Sequence, residues 1–121
     1  MDSSRFEQIV IAALEDLPLA FASYLANVEI LVQRRPSREQ RRELGLKPWQ
    51  GVYGMYEGVP YPERSHDMIV APDTIIIFQD PLVRDFGTGA TLRSEVRRTV
   101  MHEIAHLFGI SDERLRELDA Y

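Results

Sequence analysis

The chain contains no cysteine among its 121 residues, which excludes disulfide staples and any thiolate-bound metal. A reducing compartment suits such a sequence, and the expectation is a cytoplasmic protein. Long apolar runs are also missing. Nothing approaches the roughly 18 residues that a membrane span needs. The apolar N-terminal stretch is interrupted by Glu15 and Asp16, with no basic segment before it and no small-residue cleavage pattern after it, so neither a signal peptide nor a membrane partner is expected. Positive charge is in deficit, with 14 Lys and Arg against 19 Asp and Glu and a net charge of −5. That balance argues against nucleic acid as a partner. Repeats, low-complexity tracts and linkers are absent, so residues 1–121 read as one domain. A hydrophobic content of 45% is enough for that domain to bury a core of its own.

What is present is mostly periodic. Phe6, Ile9, Val10, Ala13, Leu14 and Leu17 form a helical stripe, with Ser4 and Glu7 spaced as a capping box at its start. Pro18 suits the first turn of a second short helical segment. "VEILVQR" (28–34) alternates as a strand. Ser37 and Gln40 form another capping-box pair, and Gly45 is a natural helix stop. Five arginines gather here, at 34, 35, 38, 41 and 42. Interleaved with Glu39 and Glu43, they read as a solvated helix face. Residues 47–65 are rich in Gly, Pro and Tyr and hold the single tryptophan, which predicts a loop with short strand-like pieces. "MIVAPDTIIIFQD" (68–80) splits into two apolar runs at Pro72-Asp73, a strand–turn–strand pattern. "PLVRDFGTG" reads as a connecting loop. Helical pattern resumes near Thr91 and runs to about Phe108, and a short last helix covers Asp112 to about Leu118.

The chain has three histidines, and two of them stand four apart in "HEIAHLFGISD" (102–112). On a helix, His102 and His106 share a face about 6 Å apart along the axis, close enough for two imidazoles to converge on one tetrahedral zinc ion. Glu103, next to the first imidazole, can face a water at the metal without binding the metal, as a general base must. Gly109 can adopt the left-handed conformation, end the helix and swing the chain back. Such a turn aims Asp112 at the same ion, completing His102, His106 and Asp112 as ligands with one position open. Asp112 has a competing use, as cap or first-turn acid of the last helix with help from Ser111. Coincidence is a poor account of the whole set. H-E-x-x-H arises by accident in roughly one in several hundred chains of this length. The later glycine and aspartate make accident rarer by a factor on the order of a hundred.

"HEIAHLFGISD" matches H-E-x-x-H-x-x-G-x-x-D, the pattern of the Asp-zincins. The wider "EVRRTVMHEIAHLFGISDERLREL", with "PDTIIIFQDPL" and "GVYGMYEGVPYPERS" before it, resembles the zincin-like metallopeptidase family of short bacterial proteins, the minimal zincins. The resemblance implies an α+β, zincin-like single domain, with a small twisted mixed sheet packed against an active-site helix and an N-terminal helix. By motif match it implies one zinc per chain on His102, His106 and Asp112, and acid/base duty for Glu103. Better-known metzincins place a third histidine where Asp112 stands and follow it with a methionine turn. Here nine residues follow Asp112 and none is methionine, so a shallow site is expected.

The function expected is therefore zinc-dependent hydrolysis of a peptide or protein substrate. Tyr53, Tyr56, Tyr61 and His66 are candidate oxyanion stabilisers. "TIIIF" (74–78) is a candidate sheet edge for an extended substrate, or else a buried strand. One alternative is a non-catalytic zinc-binding interaction module, although structural zinc usually has four protein ligands. The other is a zinc-dependent endoribonuclease. The related bacterial pattern for that activity uses three histidines and no glutamate after the first, so Glu103 and Asp112 both argue against it.

Overall fold

The computed structural model of the protein describes residues 1–58 and 73–117, apart from the side chains of Asn27 and Asp112. The first helix, α1, is Ser3–Glu15. Its cap is Asp2, whose side chain accepts from the Arg5 backbone N–H at 2.8 Å. The Ser4–Glu7 box is thus displaced two residues upstream, because a carboxylate at Asp2 answers the first-turn donors before Ser4 can. Pro18 then precedes a single 3-10 turn at Leu19–Phe21, which buries Phe21 completely.

Strand β1 (Val28–Gln33) is followed by α2 (Arg38–Glu43). At the start of α2 the Ser37–Gln40 capping box forms in both directions: Gln40 N–H donates to Ser37 Oγ, and Ser37 N–H donates to Gln40 Oε1. Strand β2 (Gly54–Glu57) is one of the short pieces expected in the aromatic loop. Strand β3 is Asp73–Phe78; the first of the two apolar runs, 68–72, lies outside the described residues.

The sheet order is β1-β3-β2. Strand β3 pairs parallel with β1, from Val28↔Asp73 to Gln33↔Phe78, and antiparallel with β2, from Gly54↔Ile77 to Glu57↔Thr74. "TIIIF" is therefore the central strand and offers no edge to a substrate. Its uninterrupted apolar run is what burial on two faces demands. Ile75 and Ile77 enter the main core, while Ile76 and Phe78 join Met55 in a smaller cluster.

Residues 79–86, expected to be loop, are a helix, α3 (Gln79–Phe86). Pro81 sits in the first turn, where a missing N–H costs nothing, and Leu82 is fully buried. Gly87, with φ 76°, ends the helix. Helix α4 (Ala90–Phe108) is the longest element, and α5 (Asp112–Glu117) closes the described chain. No helix among the described residues is long and apolar enough to cross a membrane.

Helix α4 is the hub. Leu92, Val96, Val100, Met101, Ile104, Ala105 and Leu107 are buried along one side of it. Apart from Leu107, that stripe meets Phe6, Val10 and Ala13 of α1 and Ile75 and Ile77 of β3 in one core. At the solvent edge of this packing, Arg93 grips Asp16 with two nitrogens, at 2.5 and 2.8 Å. Arg97 adds a bond to the Asp16 carbonyl.

Two outcomes follow from this packing. Phe6→Ala empties a fully buried ring site between α1 and α4, and urea denaturation should show a loss of about 3–5 kcal/mol. The Asp16 carboxyl is held below its ordinary range chiefly by the hydrogen bond from Arg93. A depressed folded-state pKa means the clamp stabilises fully above the unfolded value of about 3.9 and is lost as pH falls through the lower folded value. The melting-temperature difference between wild type and Arg93→Gln should therefore shrink in acid, an effect kept small by solvent exposure.

Candidate metal centre

The same 19-residue helix that fills the core with one side lines a cavity with the other. Glu95, Arg98, Thr99, His102, Glu103 and His106 border a space of about 400 Å³. Their spacing of three, four, seven, eight and eleven residues is a single helical stripe. Across the cavity stand Val52, Tyr53 and Gly54, which lead into β2, and Phe86 from the end of α3. Strand β2 comes so near α4 that a Cβ on Gly54 would lie 2.9 Å from Thr99 Cγ2 and 3.0 Å from the Ile76 carbonyl oxygen. Only glycine fits there, and this sets the width of the cavity.

Both histidines and the glutamate of the motif thus face one space. The Nε2 atom of His102 is sealed from solvent, while His106 is exposed. Burial pushes the Glu103 carboxyl above its ordinary pKa, and His106 pulls partly the other way. The donor set fits zinc: two imidazoles suit that ion and not a hard cation such as calcium or magnesium, and a neighbouring carboxylate is present to handle a proton.

Gly109 does what its position demanded. It sits at φ 71°, ψ 31° in the left-handed region, with its N–H bonded to the Ala105 carbonyl. The Ile110 N–H reaches the same carbonyl at 2.8 Å, so the helix ends in a closed turn. The cap of α5 is Ser111, whose Oγ accepts from the Arg114 N–H at 3.1 Å. Capping is thereby taken off Asp112, which is the first residue of the helix. The Asp112 carboxylate itself lies outside the described residues. Among those described, no three His, Asp or Glu side chains stand close enough together to hold a metal.

The oxyanion candidates divide clearly. Tyr61 and His66 lie outside the described residues. Tyr56 packs against the core and does not line the cavity. Tyr53 does line it, but its hydroxyl donates to Asp85 Oδ2 at 2.6 Å and its ring rests on Phe86, 5.2 Å between centroids. The phenol is held above its ordinary pKa by that bond to Asp85, so its proton is committed away from the cavity in this structure. Glu95 and Arg98 were missed in the sequence, although stepping back from His102 by four and seven residues along the helix face reaches both.

A family model described as "Zincin-like metallopeptidase" matches residues 25–121. The match covers most of the chain, and the protein belongs to the zincin-like metallopeptidase family. It takes in the sheet, the cavity and the whole of the motif, and begins after α1. Curated proteins give no match to the chain.

The turn after α4 makes a testable point. An alanine at 109 must hold a left-handed conformation, at a cost of about 1–2 kcal/mol. Gly109→Ala should lose that much stability in chemical denaturation. Gly45→Ala, at φ 65° in an exposed turn with open space around it, should lose a similar amount without changing metal affinity.

Proposed function

We propose that the chain is a zinc-dependent peptidase that acts as one domain over residues 1–121, with one zinc held by His102, His106 and Asp112. The observation that carries this reading is the placement of His102, Glu103 and His106 on the stripe of α4 that faces the cavity. Ordinary helix residues of this polarity would face open solvent instead. When bound, zinc supplies the Lewis acidity that acidifies a water molecule and polarises a carbonyl.

The chain's own groups do the rest. Glu103, half-buried at the back of the cavity, takes the proton of the attacking water and delivers it to the leaving amine. Its burial supports that role, since a desolvated carboxylate is a stronger base than one in water. Tyr53 and Phe86 form an aromatic wall for substrate side chains. The substrate lies in extended form along the outer edge of β2, where no strand among the described residues is paired, and backbone hydrogen bonds add it to the sheet. α1 belongs to the same unit because Phe6, Val10 and Ala13 complete the core under α4.

Metal analysis of the purified protein, combined with cleavage of a peptide library with and without chelator, tests the reading. Wild type should carry about one zinc and lose cleavage when it is stripped. His106→Ala and Asp112→Asn should lose both metal and activity. Glu103→Gln should keep zinc and fold while cleavage falls by about 10²–10⁴. Cleavage by Glu103→Gln at the wild-type rate sinks the mechanism. Tight zinc in both proteins, with no cleavage by either, identifies a binding module instead.

A further inference from the structure

A separate concavity of about 450 Å³ opens beside the metal-site cavity, and its chemistry is different. Arg35, Arg41 and Arg84 line it against one lining carboxylate, Asp80, and Arg84 is also paired with Asp85, 3.0 Å away. Asp80 is already divided between two arginines, 3.2 Å from Arg35 and 3.8 Å from Arg34. Among the described residues Arg41 pairs with no carboxylate: it donates to the backbone carbonyls of Lys47, Pro48 and Gln50, which shapes the wall. In a chain of net charge −5, this is a concentrated positive spot.

Trp49 forms the lip. It is the single tryptophan of the sequence and is 78% exposed, with Lys47 Nζ 5.4 Å from its ring centre. An indole left in water beside arginines is the combination that dominates binding hot spots: the ring gains from being covered, and guanidinium forks match carboxylates. The position matters as much as the composition. Gln50 and Gly51 line this concavity, and Val52, Tyr53 and Gly54 line the other. Arg84 and Phe86 divide in the same way on α3. Gly51 and Val52 are consecutive, so the two linings adjoin. A peptide a few residues long reaches from one to the other.

We propose that the Trp49 concavity is an exosite for an acidic segment of the peptide substrate, with its carboxylates on Arg35 and Arg84 and its side chains over Trp49. The assignment of the ligand as substrate rests on the peptidase reading above. Peptide is favoured over nucleic acid because the chain as a whole is acidic, with a net charge of −5. Glu39 and Glu43 interrupt the arginines of α2, which breaks the basic track there for a polyanion.

Trp49 is its own reporter. In the Glu103→Gln protein, where turnover is removed, a short tryptophan-free peptide carrying a run of aspartates should change Trp49 emission saturably. A lysine-substituted version should leave it unchanged. Arg35→Glu combined with Arg84→Glu should weaken the acidic peptide by about tenfold or more. Arg35→Glu alone, on a side chain 79% exposed, should weaken it in the same direction and guards against a folding defect in the double variant. Unchanged affinity in both variants, an equal response to the lysine peptide, or tighter binding of oligouridylate than of the acidic peptide overturns the exosite. Failure of the underlying reading looks different. Acidic peptides then bind through Arg35 but wild type never cleaves them, whereas a peptidase without the exosite cleaves with a KM indifferent to acidic residues and to Arg35→Glu.

Discussion

Packing of α4 from two directions at once is the constraint on which the rest of the molecule depends. Helix α1 and strand β3 both press on its apolar stripe, and that double contact fixes the rotation of the helix about its own axis. Once the rotation is fixed, the face carrying Glu95, His102, Glu103 and His106 has no freedom left, and it must look toward β2 and the end of α3. A single packing partner would leave the helix able to roll by a fraction of a turn. Since neighbouring residues on a helix differ by about 100°, a modest roll would carry Glu103 out of the cavity and bring in a core residue. The site is therefore positioned by apolar contacts none of which belongs to it.

Close approach of β2 gives the cavity its other wall, and Gly54 makes the approach possible. A strand carrying any side chain there would stand off from Thr99 and from the carbonyl of Ile76. The antiparallel ladder to β3 then sets β2 along the strand direction, from Gly54↔Ile77 onward. The strand paired with β3 on one side thus brings Tyr53, just before it, to the cavity that the histidines line.

The sequence disclosed local features well and tertiary ones poorly. The Ser37–Gln40 box, the left-handed turn at Gly109 and the span of α4 each depend on chemistry within a few residues, and all three appear in the structure as read. Helix α3 was missed because the proline in its first turn and the glycines after it read as loop signals, although its eight residues are amphipathic. Its helical state comes from burying Leu82, a contact with residues distant in sequence. "TIIIF" offered the same ambiguity in another form. Its apolar run suits either a buried centre or a sticky edge, and only the parallel pairing with β1, some 45 residues earlier in the register, decides for the centre. Of the cavity lining, the shared face of the three motif residues on α4 was legible from spacing alone. Glu95 and Arg98 were legible in principle, while Tyr53 and Phe86 required the fold, because no local signal brings the aromatic loop and the end of α3 to the same helix.

Asp85 connects these parts in a way that neither cavity reveals by itself. Its carboxylate accepts from the Tyr53 hydroxyl at 2.6 Å and from Arg84 Nε at 3.0 Å, and both partners hold it below its ordinary pKa, Arg84 more strongly. Tyr53 lines the histidine-bordered cavity and Arg84 lines the Trp49 concavity. One exposed carboxylate therefore sits between a wall of each. Any anion that draws Arg84 toward itself competes with Asp85 for the guanidinium, and a carboxylate relieved of that cation accepts the phenol proton more strongly. The two linings are coupled through a shared acceptor, and the energy involved is that of surface charge-assisted hydrogen bonds, small and sensitive to salt. An anion in the arginine pocket would thus tighten the hold on Tyr53 and leave the apolar packing that aims His102, Glu103 and His106 unaltered.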